Sequence, residues 1–226
     1  MRLFEELLDT FEIADDDLRN RILSSARIQE YPANAEVISS IEASRAAYLV
    51  LEGKAKALLF SGEGNQIWFN DFRKGDFFGE MAAITTSDRS ADVYSETALI
   101  VAKFDAQDFV SILQSDGQFC FFVTQQIVDR FRKTSKKMFE LSALTVAGRT
   151  YAELLRIAGT EGAIDGSNLT IDNMPSVAEL ARRIYSTRET VSRVVNELQQ
   201  KGFISRIDNK VTILNSEFFT FVGEQI

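Results

Sequence analysis

The hydrophobic pattern of this 226-residue chain changes its period near Gly117, and this change most limits the folds that the chain can adopt. From about residue 28 to 106, short apolar runs alternate with turn residues, and five of the twelve glycines fall between positions 53 and 79. This punctuation is typical of strands and hairpins. Beyond Gly117 apolar residues recur at the spacing of an α-helix. The sequence therefore predicts an N-terminal β-domain followed by a mainly helical part.

The stretch KAKALLF shows the strand pattern most clearly. Ala55, Ala57 and Leu59 would share one face, with Lys54 and Lys56 on the other. The following SGEGN supplies a turn before QIWFNDF. We predict a β-barrel or β-roll for this region.

A seam of seven-residue periodicity follows Gly117. Alternating steps of four and three connect Cys120, Thr124, Ile127, Phe131, Thr134, Met138, Leu141 and Thr145. This spacing is that of a coiled coil, which usually pairs a helix with its own copy; the alternative is an amphipathic helix packed on its own β-domain. No proline occurs from position 33 through 174, so the helix can be long. Thr145 would cap a further helix that stops near Gly159, and residues 159–168 would form a polar surface loop.

The segment MPSVAELARRIYSTRETVSRVVNELQQKGFISR predicts a helix-turn-helix. Ser176 stands three residues before Glu179, which is the spacing of a capping box. The second helix would bury Val191, Val194, Val195 and Leu198 and leave on its other face Arg188, Glu189, Ser192, Arg193 and Asn196. A β-hairpin with its turn at Asp208-Asn209 should follow, and the final FFTFVGEQI should pack on the core.

Composition limits the chemistry of the chain. Hydrophobic residues make up 45% and charged residues 26%, as in globular proteins. There is no histidine, and Cys120 is the only cysteine, which removes the commonest general base, the commonest metal ligand and any internal disulfide. We therefore expect no enzyme and no metal. The acidic start lacks an apolar run, so we expect neither a signal peptide nor a membrane span, and a cytoplasmic protein.

The net charge of −8 is divided unevenly. Residues 1–126 hold 11 basic and 21 acidic residues, a net of −10, whereas residues 127–226 hold 14 and 12, a net of +2. Between positions 176 and 206 there are six basic and three acidic residues, a local net charge of +3. This asymmetry suggests separate functions for the two parts.

The polar face of the second predicted helix suits DNA. Arg pairs with guanine O6 and N7, Glu accepts from cytosine N4, and residues at the start of such a helix reach base edges. The alternative is structural: Ser186 and Glu189 would form another capping box, and Glu189 and Arg193 an i,i+4 ion pair.

One further stretch, GEMAAITTSDRSA at residues 79–91, places Glu80 and Arg89 at opposite ends of a short apolar segment. Two groups of opposite charge at this separation either bracket a ligand that carries both hydroxyls and a phosphate or are ordinary surface residues.

Three strings in this order resemble the Crp/Fnr family of bacterial transcription regulators, over nearly the whole chain. GE…RSA is similar to the phosphate-binding cassette of cyclic-nucleotide domains, TSKKM at 134–138 to the base-contacting part of the long helix, and RETVSR at 188–193 to the recognition helix. The resemblance implies an α+β fold. Its parts would be a cyclic-nucleotide-binding β-roll domain at 1–116, a coiled-coil dimerisation helix at 117–144 and a winged helix-turn-helix DNA-binding domain at 145–226.

The resemblance also implies a role for each matching residue. Glu80 would bond the ribose 2′-hydroxyl, Arg89 would pair with the cyclic phosphate, and Arg130 would steady Glu80. The nucleotide site would be completed by Gly79, Met81, Ser90, Thr134 and Ser135. Thr134 and Ser135 would take the base, although Thr134 could instead bond its own helix backbone. The residues implied at DNA are Ser186, Thr187, Arg188, Glu189, Thr190, Ser192 and Arg193.

The implied function is a homodimeric, cyclic AMP-dependent transcription regulator that reads a palindromic site with TGTGA-like half-sites and contacts RNA polymerase. Cyclic GMP is an alternative ligand, because the cassette reads only ribose and phosphate, although Thr134 and Ser135 favour adenine. A nucleotide-binding module that controls a partner protein is another alternative.

Two positions depart from the family pattern. The separation of Glu80 and Arg89 is one residue shorter than in cyclic AMP-responsive members, so the loop tip should differ. Tyr185 stands where a turn glycine is usual, and a bulky residue adopts a positive φ only at a cost, so we expect a local adjustment of the turn.

Overall fold

The computed structural model describes residues 2–11, 13, 15–60, 62, 66–165 and 168–214. The chain divides into two compact units, Met1–Arg132 and Lys133–Ile226. The helices of the first unit are α1 (Arg2–Thr10), α2 (Asp16–Ser25), α3 (Glu80–Thr85) and α4 (Ala106–Ser115). Its strands are β1 (Ala26–Tyr31), β2 (Glu36–Ile38), β3 (Ala47–Glu52), β4 (Lys54–Phe60), β5 (Gln66–Arg73), β6 (Phe77–Phe78), β7 (Asp92–Ser95) and β8 (Leu99–Phe104). The long helix α5 (Gly117–Ala143) begins in the first unit and ends in the second.

The strands of the first unit form two antiparallel sheets, in the orders β1-β8-β3-β6 and β2-β7-β4-β5. This confirms the predicted β-roll. The expected strict alternation along β4 is wrong at one point, because its pairing with β5 shifts register between Ala57 and Leu58. Leu58 is consequently buried and Leu59 only half-buried. Most of SGEGN lies outside the described residues.

The short strand β6 connects the core of the first unit to α3. Phe77 packs in a cluster with Phe104, Phe109 and Phe119, with ring centroids 5.6 to 6.2 Å from its own. Phe78 belongs to the opposite cluster and stacks on Tyr48 at 5.0 Å. Both phenylalanines are 0% exposed, and burying each contributes roughly 1.5–3 kcal/mol. β6 therefore fixes the position at which α3 begins.

Helix α5 has two apolar faces. Phe119 and Val123 are buried in the core of the first unit, whereas Phe131 and Met138 are 72% and 71% exposed. The first turns of the helix therefore pack on their own β-roll, and most residues of the seam are exposed. Cys120 is only half-buried. Thr145 lies beyond the end of α5, so the predicted seam is too long by that residue.

The second unit contains α6 (Val146–Glu161), β9 (Gly162–Asp165), β10 (Asn168–Ile171), α7 (Val177–Arg183), α8 (Arg188–Gln200), β11 (Ile204–Ile207) and β12 (Lys210–Ile213). Its sheet runs β11-β12-β10-β9. The predicted surface loop at 159–168 is wrong, because α6 continues to Glu161 and β9 pairs with β10. Thr145 Oγ1 accepts from Gly148 N at 3.2 Å, as expected of a cap.

The predicted hairpin at Asp208-Asn209 is confirmed, since Ile207 pairs with Lys210 across the turn. Asp208 takes a left-handed φ of 52°, which suits a two-residue hairpin turn. The prediction for FFTFVGEQI falls outside the described residues. Within the described part of the chain, no helix is long and apolar enough to cross a membrane.

Candidate functional site

An open cleft of about 460 Å³ lies in the first unit, beside β5 and the start of α3. This volume includes the open solvent at the mouth of the cleft. The side chains that line the cleft are mostly apolar, and its polar members are Asn70, Glu80, Arg89, Ser90 and Arg130. Small-molecule sites commonly combine an apolar wall with a few convergent polar groups.

Gly79 forms the entrance to α3. Its φ of 75° lies in the left-handed region that favours glycine. A Cβ at this position would lie 2.8 Å from Arg89 Nη1 and 2.9 Å from the carbonyl oxygen of Ala46. The backbone here approaches the arginine so closely that a side chain would displace it.

Glu80 is a buried carboxylate with one oxygen paired. Its Oε1 accepts from Arg130 Nη1 at 2.7 Å, and Glu80 is 1% exposed. Its Oε2 is buried and has no hydrogen-bond partner among the described residues. A buried acceptor left unsatisfied costs about 1–3 kcal/mol, so this oxygen is suited to a hydroxyl donor from a ligand.

Arg89 is a buried cation that no carboxylate pairs directly within the described residues. Its Nη1 donates to the carbonyl oxygen of Gly79 and its Nη2 to that of Ala46, both at 2.9 Å. Its Nε is buried without a partner. Burial lowers the pKa of the Arg89 guanidinium, and nearby Tyr48 and Glu42 oppose that shift. A bound anion would give this cation the counter-charge that it lacks.

Sequence reasoning missed the part played by Gln126 on α5. Its amide donates to the carbonyl oxygen of Gly75 and accepts from Phe77 N, both at 2.8 Å. Arg130, one turn later, donates to the carbonyl oxygen of Phe77 at 2.7 Å. Helix α5 thus fixes β6 through two polar side chains at i and i+4, and that spacing in the sequence was the available signal.

Asn70 was also missed. The bulge opposite Ala57 and Leu58 adds Phe69 to β5, so Phe69 and Asn70 both line the cleft although they are consecutive. The Asn70 amide makes no side-chain hydrogen bond within the described residues. The signal available in the sequence was a polar residue, Asn70, on the strand face that Trp68 and Phe72 make apolar.

The remaining predicted nucleotide residues divide between the two units. Met81 and Ser90 are exposed at the cleft, where Ser90 Oγ lies 3.9 Å from Met81 Sδ. The structure therefore brings six of the predicted residues together: Gly79, Glu80, Met81, Arg89, Ser90 and Arg130. Thr134 and Ser135 lie later on α5, exposed, in the second unit.

The predicted helix-turn-helix is formed by α7 and α8 in the second unit. Ser176 Oγ accepts from Glu179 N at 3.2 Å, which confirms this cap. The alternative cap at Ser186 is wrong, because α8 begins at Arg188 and Thr187 Oγ1 accepts from Thr190 N at 3.3 Å.

The polar face of α8 is accessible to solvent near the start of the helix. Thr187, Arg188, Glu189 and Arg193 are exposed, and Ser186, Thr190 and Ser192 are half-buried. The alternative of a Glu189–Arg193 ion pair is wrong, since Arg193 Nη2 instead lies 3.4 Å from Thr190 Oγ1. The two charged side chains at the start of the helix, Arg188 and Glu189, are thus available to a partner.

Tyr185 has a φ of 57°, the left-handed conformation that favours glycine, so the expected local adjustment of the turn is wrong. Ser186 N bonds the carbonyl oxygen of Ala181 at 2.9 Å, which closes the turn between the helices. The motif is retained with a strained tyrosine in the turn.

The chemistry of the cleft suits a small anion with a neighbouring hydroxyl, since an unpaired carboxylate oxygen and a guanidinium line the same wall. Within the described residues, no group of three or more His, Cys, Asp or Glu side chains could hold a metal ion.

Comparisons with known proteins identify two domains in the chain. A model of the cyclic nucleotide-binding domain matches residues 28–116, and one of the Crp-like helix-turn-helix domain matches residues 148–218. The chain is 28% identical over 187 residues to the cAMP-activated global transcriptional regulator CRP of Salmonella typhimurium, covering 81% of this chain and 87% of that protein. It is 26% identical over 192 residues to the cAMP-activated global transcriptional regulator Vfr of Pseudomonas aeruginosa, covering 82% and 88%.

Solved structures share the fold. The c-di-GMP responsive global regulator CLP of Xanthomonas campestris superimposes with a TM-score of 0.78 at 20% identity, covering 89% of this chain and 100% of that one. A CRP/FNR-family regulator of Thermus thermophilus gives 0.69 at 20% identity, covering 88% and 98%. With its cyclic nucleotide-binding domain and its Crp-like helix-turn-helix, the chain belongs to the Crp/Fnr family of DNA-binding transcription regulators, which are not enzymes.

Proposed function

We propose that this protein is a homodimeric transcription regulator that binds cyclic AMP in the cleft of its first unit and then a palindromic DNA site with TGTGA-like half-sites. The observation that carries the proposal is the pair of buried, unsatisfied atoms in the cleft, Glu80 Oε2 and Arg89 Nε. One is an acceptor and the other a donor on a cation. A cyclic nucleotide supplies a hydroxyl for the first and a phosphate for the second.

A bound phosphate would supply the counter-charge that Arg89 lacks. Its guanidinium donors bond two neutral carbonyl oxygens, whereas hydrogen bonds between charged groups are shorter and roughly twice as strong. A phosphate beside Arg89 would also offset the burial of the cation. Ser90, exposed at the edge of the cleft, and Gly79, whose backbone lies against Arg89, complete the phosphate site.

The ribose 2′-hydroxyl would donate to Glu80 Oε2. Because Arg130 holds the other oxygen of Glu80 at 2.7 Å, the carboxylate stays oriented. Met81, half-exposed at the cleft, would cover the sugar.

Cyclic AMP and cyclic GMP differ only in the base. Phosphate and ribose are common to both, so Glu80 and Arg89 do not distinguish them. We assign the base to Thr134 and Ser135 on α5, and the printed names of the relatives, which are cAMP-activated, favour adenine. Cyclic GMP is the alternative ligand.

Dimerisation is supported by the exposed side of α5. Ile127, Phe131, Met138 and Leu141 are between 36% and 72% exposed and follow the coiled-coil spacing. A second copy of the chain would cover this stripe about a two-fold axis. Two recognition helices related by that axis suit half-sites one DNA turn apart, roughly 34–36 Å.

The DNA-contacting residues would be those at the start of α8. Arg188, Glu189 and Arg193 are exposed and would read base edges, while Ser186, Thr187, Thr190 and Ser192 would contact the backbone or support them. Nucleotide would favour DNA binding only by its difference in affinity for the two dimer geometries. A cytoplasmic regulator of this kind would also contact RNA polymerase.

Calorimetry with cyclic AMP and with cyclic GMP, followed by gel shifts of a palindromic duplex with each, tests the proposal. We expect stoichiometric binding of cyclic AMP, and a shift of the duplex that depends on it. Preference for cyclic GMP would reassign the ligand. Nucleotide binding without any shift, on this duplex or on one selected from a random pool, would favour the alternative of a module that acts on a partner protein.

A further inference from the structure

A charge network joins three helices within the second unit. Arg156 Nη2 lies 2.8 Å from each carboxylate oxygen of Glu140, and its Nη1 bonds Glu153. Arg183 continues the network, with Nη1 3.7 Å from Glu153 Oε1 and Nη2 3.7 Å from Glu179 Oε1. The members belong to the last turns of α5, to α6 and to α7 of the helix-turn-helix.

The two carboxylates at the centre of the network are buried. Glu140 is 5% exposed and Glu153 3% exposed. A buried carboxylate is tolerated only with a cation in good geometry, and the planar fork of arginine can serve two carboxylates at once. The position of Glu140 on α5 is thereby tied to that of Glu153 on α6.

A second polar contact runs in parallel with the network. Arg149 Nη1 donates at 2.9 Å to the carbonyl oxygen of Leu144, just after α5 ends. Its Nε donates at 3.0 Å to the carbonyl oxygen of Ile184, the residue before the strained Tyr185. One guanidinium thus ties the connection between α5 and α6 to the turn of the helix-turn-helix.

We propose that Arg156 is a positioning residue for DNA recognition: in parallel with the contacts of Arg149, it holds the helix-turn-helix in one orientation relative to the last turns of α5. This inference rests on the proposed function. A buried ion network often stabilises a fold no better than apolar side chains of similar size, and in some proteins its directional bonds instead specify one arrangement. The network therefore sets where α8 presents Arg188, more than how stable the unit is.

The test uses two variants of the full-length protein. Arg156→Lys keeps the positive charge and removes the fork that serves both Glu140 and Glu153. The triple variant Glu140→Leu, Glu153→Leu, Arg156→Met replaces the three charged groups with apolar ones. Arg2→Lys is the matched control, since Arg2 is 90% exposed and pairs with Glu6 at 2.9 Å on the surface.

Thermal unfolding, cyclic AMP affinity and DNA affinity are measured for each variant, with a specific duplex selected by the wild type from a random pool and with an unrelated duplex. We expect both variants to bind cyclic AMP as the wild type does. The factor by which cyclic AMP raises specific DNA affinity should fall at least about fivefold, while affinity for the unrelated duplex is unchanged. The control should match the wild type.

If cyclic AMP raises the specific DNA affinity of Arg156→Lys by the same factor as that of the wild type, the inference is overturned. An equal loss on both duplexes would also overturn it, because it would indicate damage to the fold. If the triple variant does not fold, Arg156→Lys alone decides.

A wild type that binds neither cyclic nucleotide nor any selected duplex would count against the proposed function and not against the network. The positioning role is then read directly, by spin labels at the exposed Ser142 and Gln199 in a Cys120→Ser background. Arg156→Lys should broaden the distribution of distances between the labels. An unchanged distribution would exclude a positioning role.

Discussion

Arg130 Nη1 donates to Glu80 Oε1 at 2.7 Å, and the Nη2 of the same guanidinium donates to the carbonyl oxygen of Phe77 at 2.7 Å. One side chain on α5 therefore neutralises the buried carboxylate of the cleft and holds the strand that leads to it. A single residue therefore links the charge of the cleft to the position of β6.

Replacing Arg130 by leucine should unfold the first unit more easily and weaken nucleotide binding. Removing one partner of a buried ion pair leaves the other uncompensated, which costs about 3–5 kcal/mol. Urea unfolding can be followed by the fluorescence of Trp68, the only tryptophan. The double variant Glu80→Gln, Arg130→Leu should recover part of the stability without recovering binding. Stability that is unchanged in the single variant would contradict the role given to Arg130.

The separation of Glu80 and Arg89 left open whether they bracket a ligand or are surface residues, and only the resemblance to a known family gave them and Arg130 their roles. Periodicity predicted the β-roll, the long helix and the helix-turn-helix, since each follows from a repeated apolar spacing. It could not predict the bulge in β5, because a register shift depends on how two strands pair across the sheet. The bulge in turn decides that both Phe69 and Asn70 line the cleft.

Gly79→Ala should abolish nucleotide binding with a moderate loss of stability. The new Cβ would lie 2.8 Å from Arg89 Nη1, and a residue with a side chain is strained at a φ of 75°. Arg89 would be displaced from the wall of the cleft. Gly117→Ala is the matched control, because nothing lies within 4 Å of the added Cβ. Calorimetry with cyclic AMP measures the effect, and wild-type affinity in Gly79→Ala would contradict the close approach.

Arg89→Ala should abolish nucleotide binding while the protein stays folded. Burial lowers the pKa of this guanidinium, so its charged form is disfavoured where it stands, and removing it offsets part of the stability that is lost with its hydrogen bonds to Gly79 and Ala46. Two lost hydrogen bonds to a charged phosphate correspond to about 100-fold or more in affinity. Arg89→Lys should restore only part of the binding, since lysine lacks the fork. Undiminished affinity for cyclic AMP in Arg89→Ala would exclude the phosphate role.

Asn70→Ala should weaken cyclic AMP binding by about 2- to 12-fold, the value of one net hydrogen bond. The Asn70 amide lines the cleft and makes no side-chain hydrogen bond within the described residues, so it is available to a ligand. Asn20→Ala on the exposed side of α2 is the control. Calorimetry with both cyclic nucleotides would also show whether Asn70 affects the preference between bases. An affinity equal to that of the wild type would show that Asn70 lines the cleft without a hydrogen bond to the nucleotide.

The caps of the helix-turn-helix show another limit of sequence reasoning. Ser176 and Glu179 have the spacing of a cap and form one, whereas Ser186 and Glu189 have the same spacing and do not. The difference is the left-handed turn at Tyr185, after which Thr187 precedes the first helical residue. Local spacing cannot reveal this, because the end of the turn is set by the packing of α7 against α8.

Arg188→Ala should lower affinity for the specific duplex far more than for random DNA. A bidentate contact with a base is worth about 1–3 kcal/mol, which is roughly 5- to 150-fold, and carries sequence information that a phosphate contact does not. Gln200→Ala, exposed at the other end of α8, is the control. Gel shifts with saturating cyclic AMP compare the two duplexes at one salt concentration, because phosphate contacts make every affinity salt-dependent. Equal losses on both duplexes would move Arg188 from the bases to the phosphate backbone, and the salt dependence of binding would then fall by about one phosphate contact.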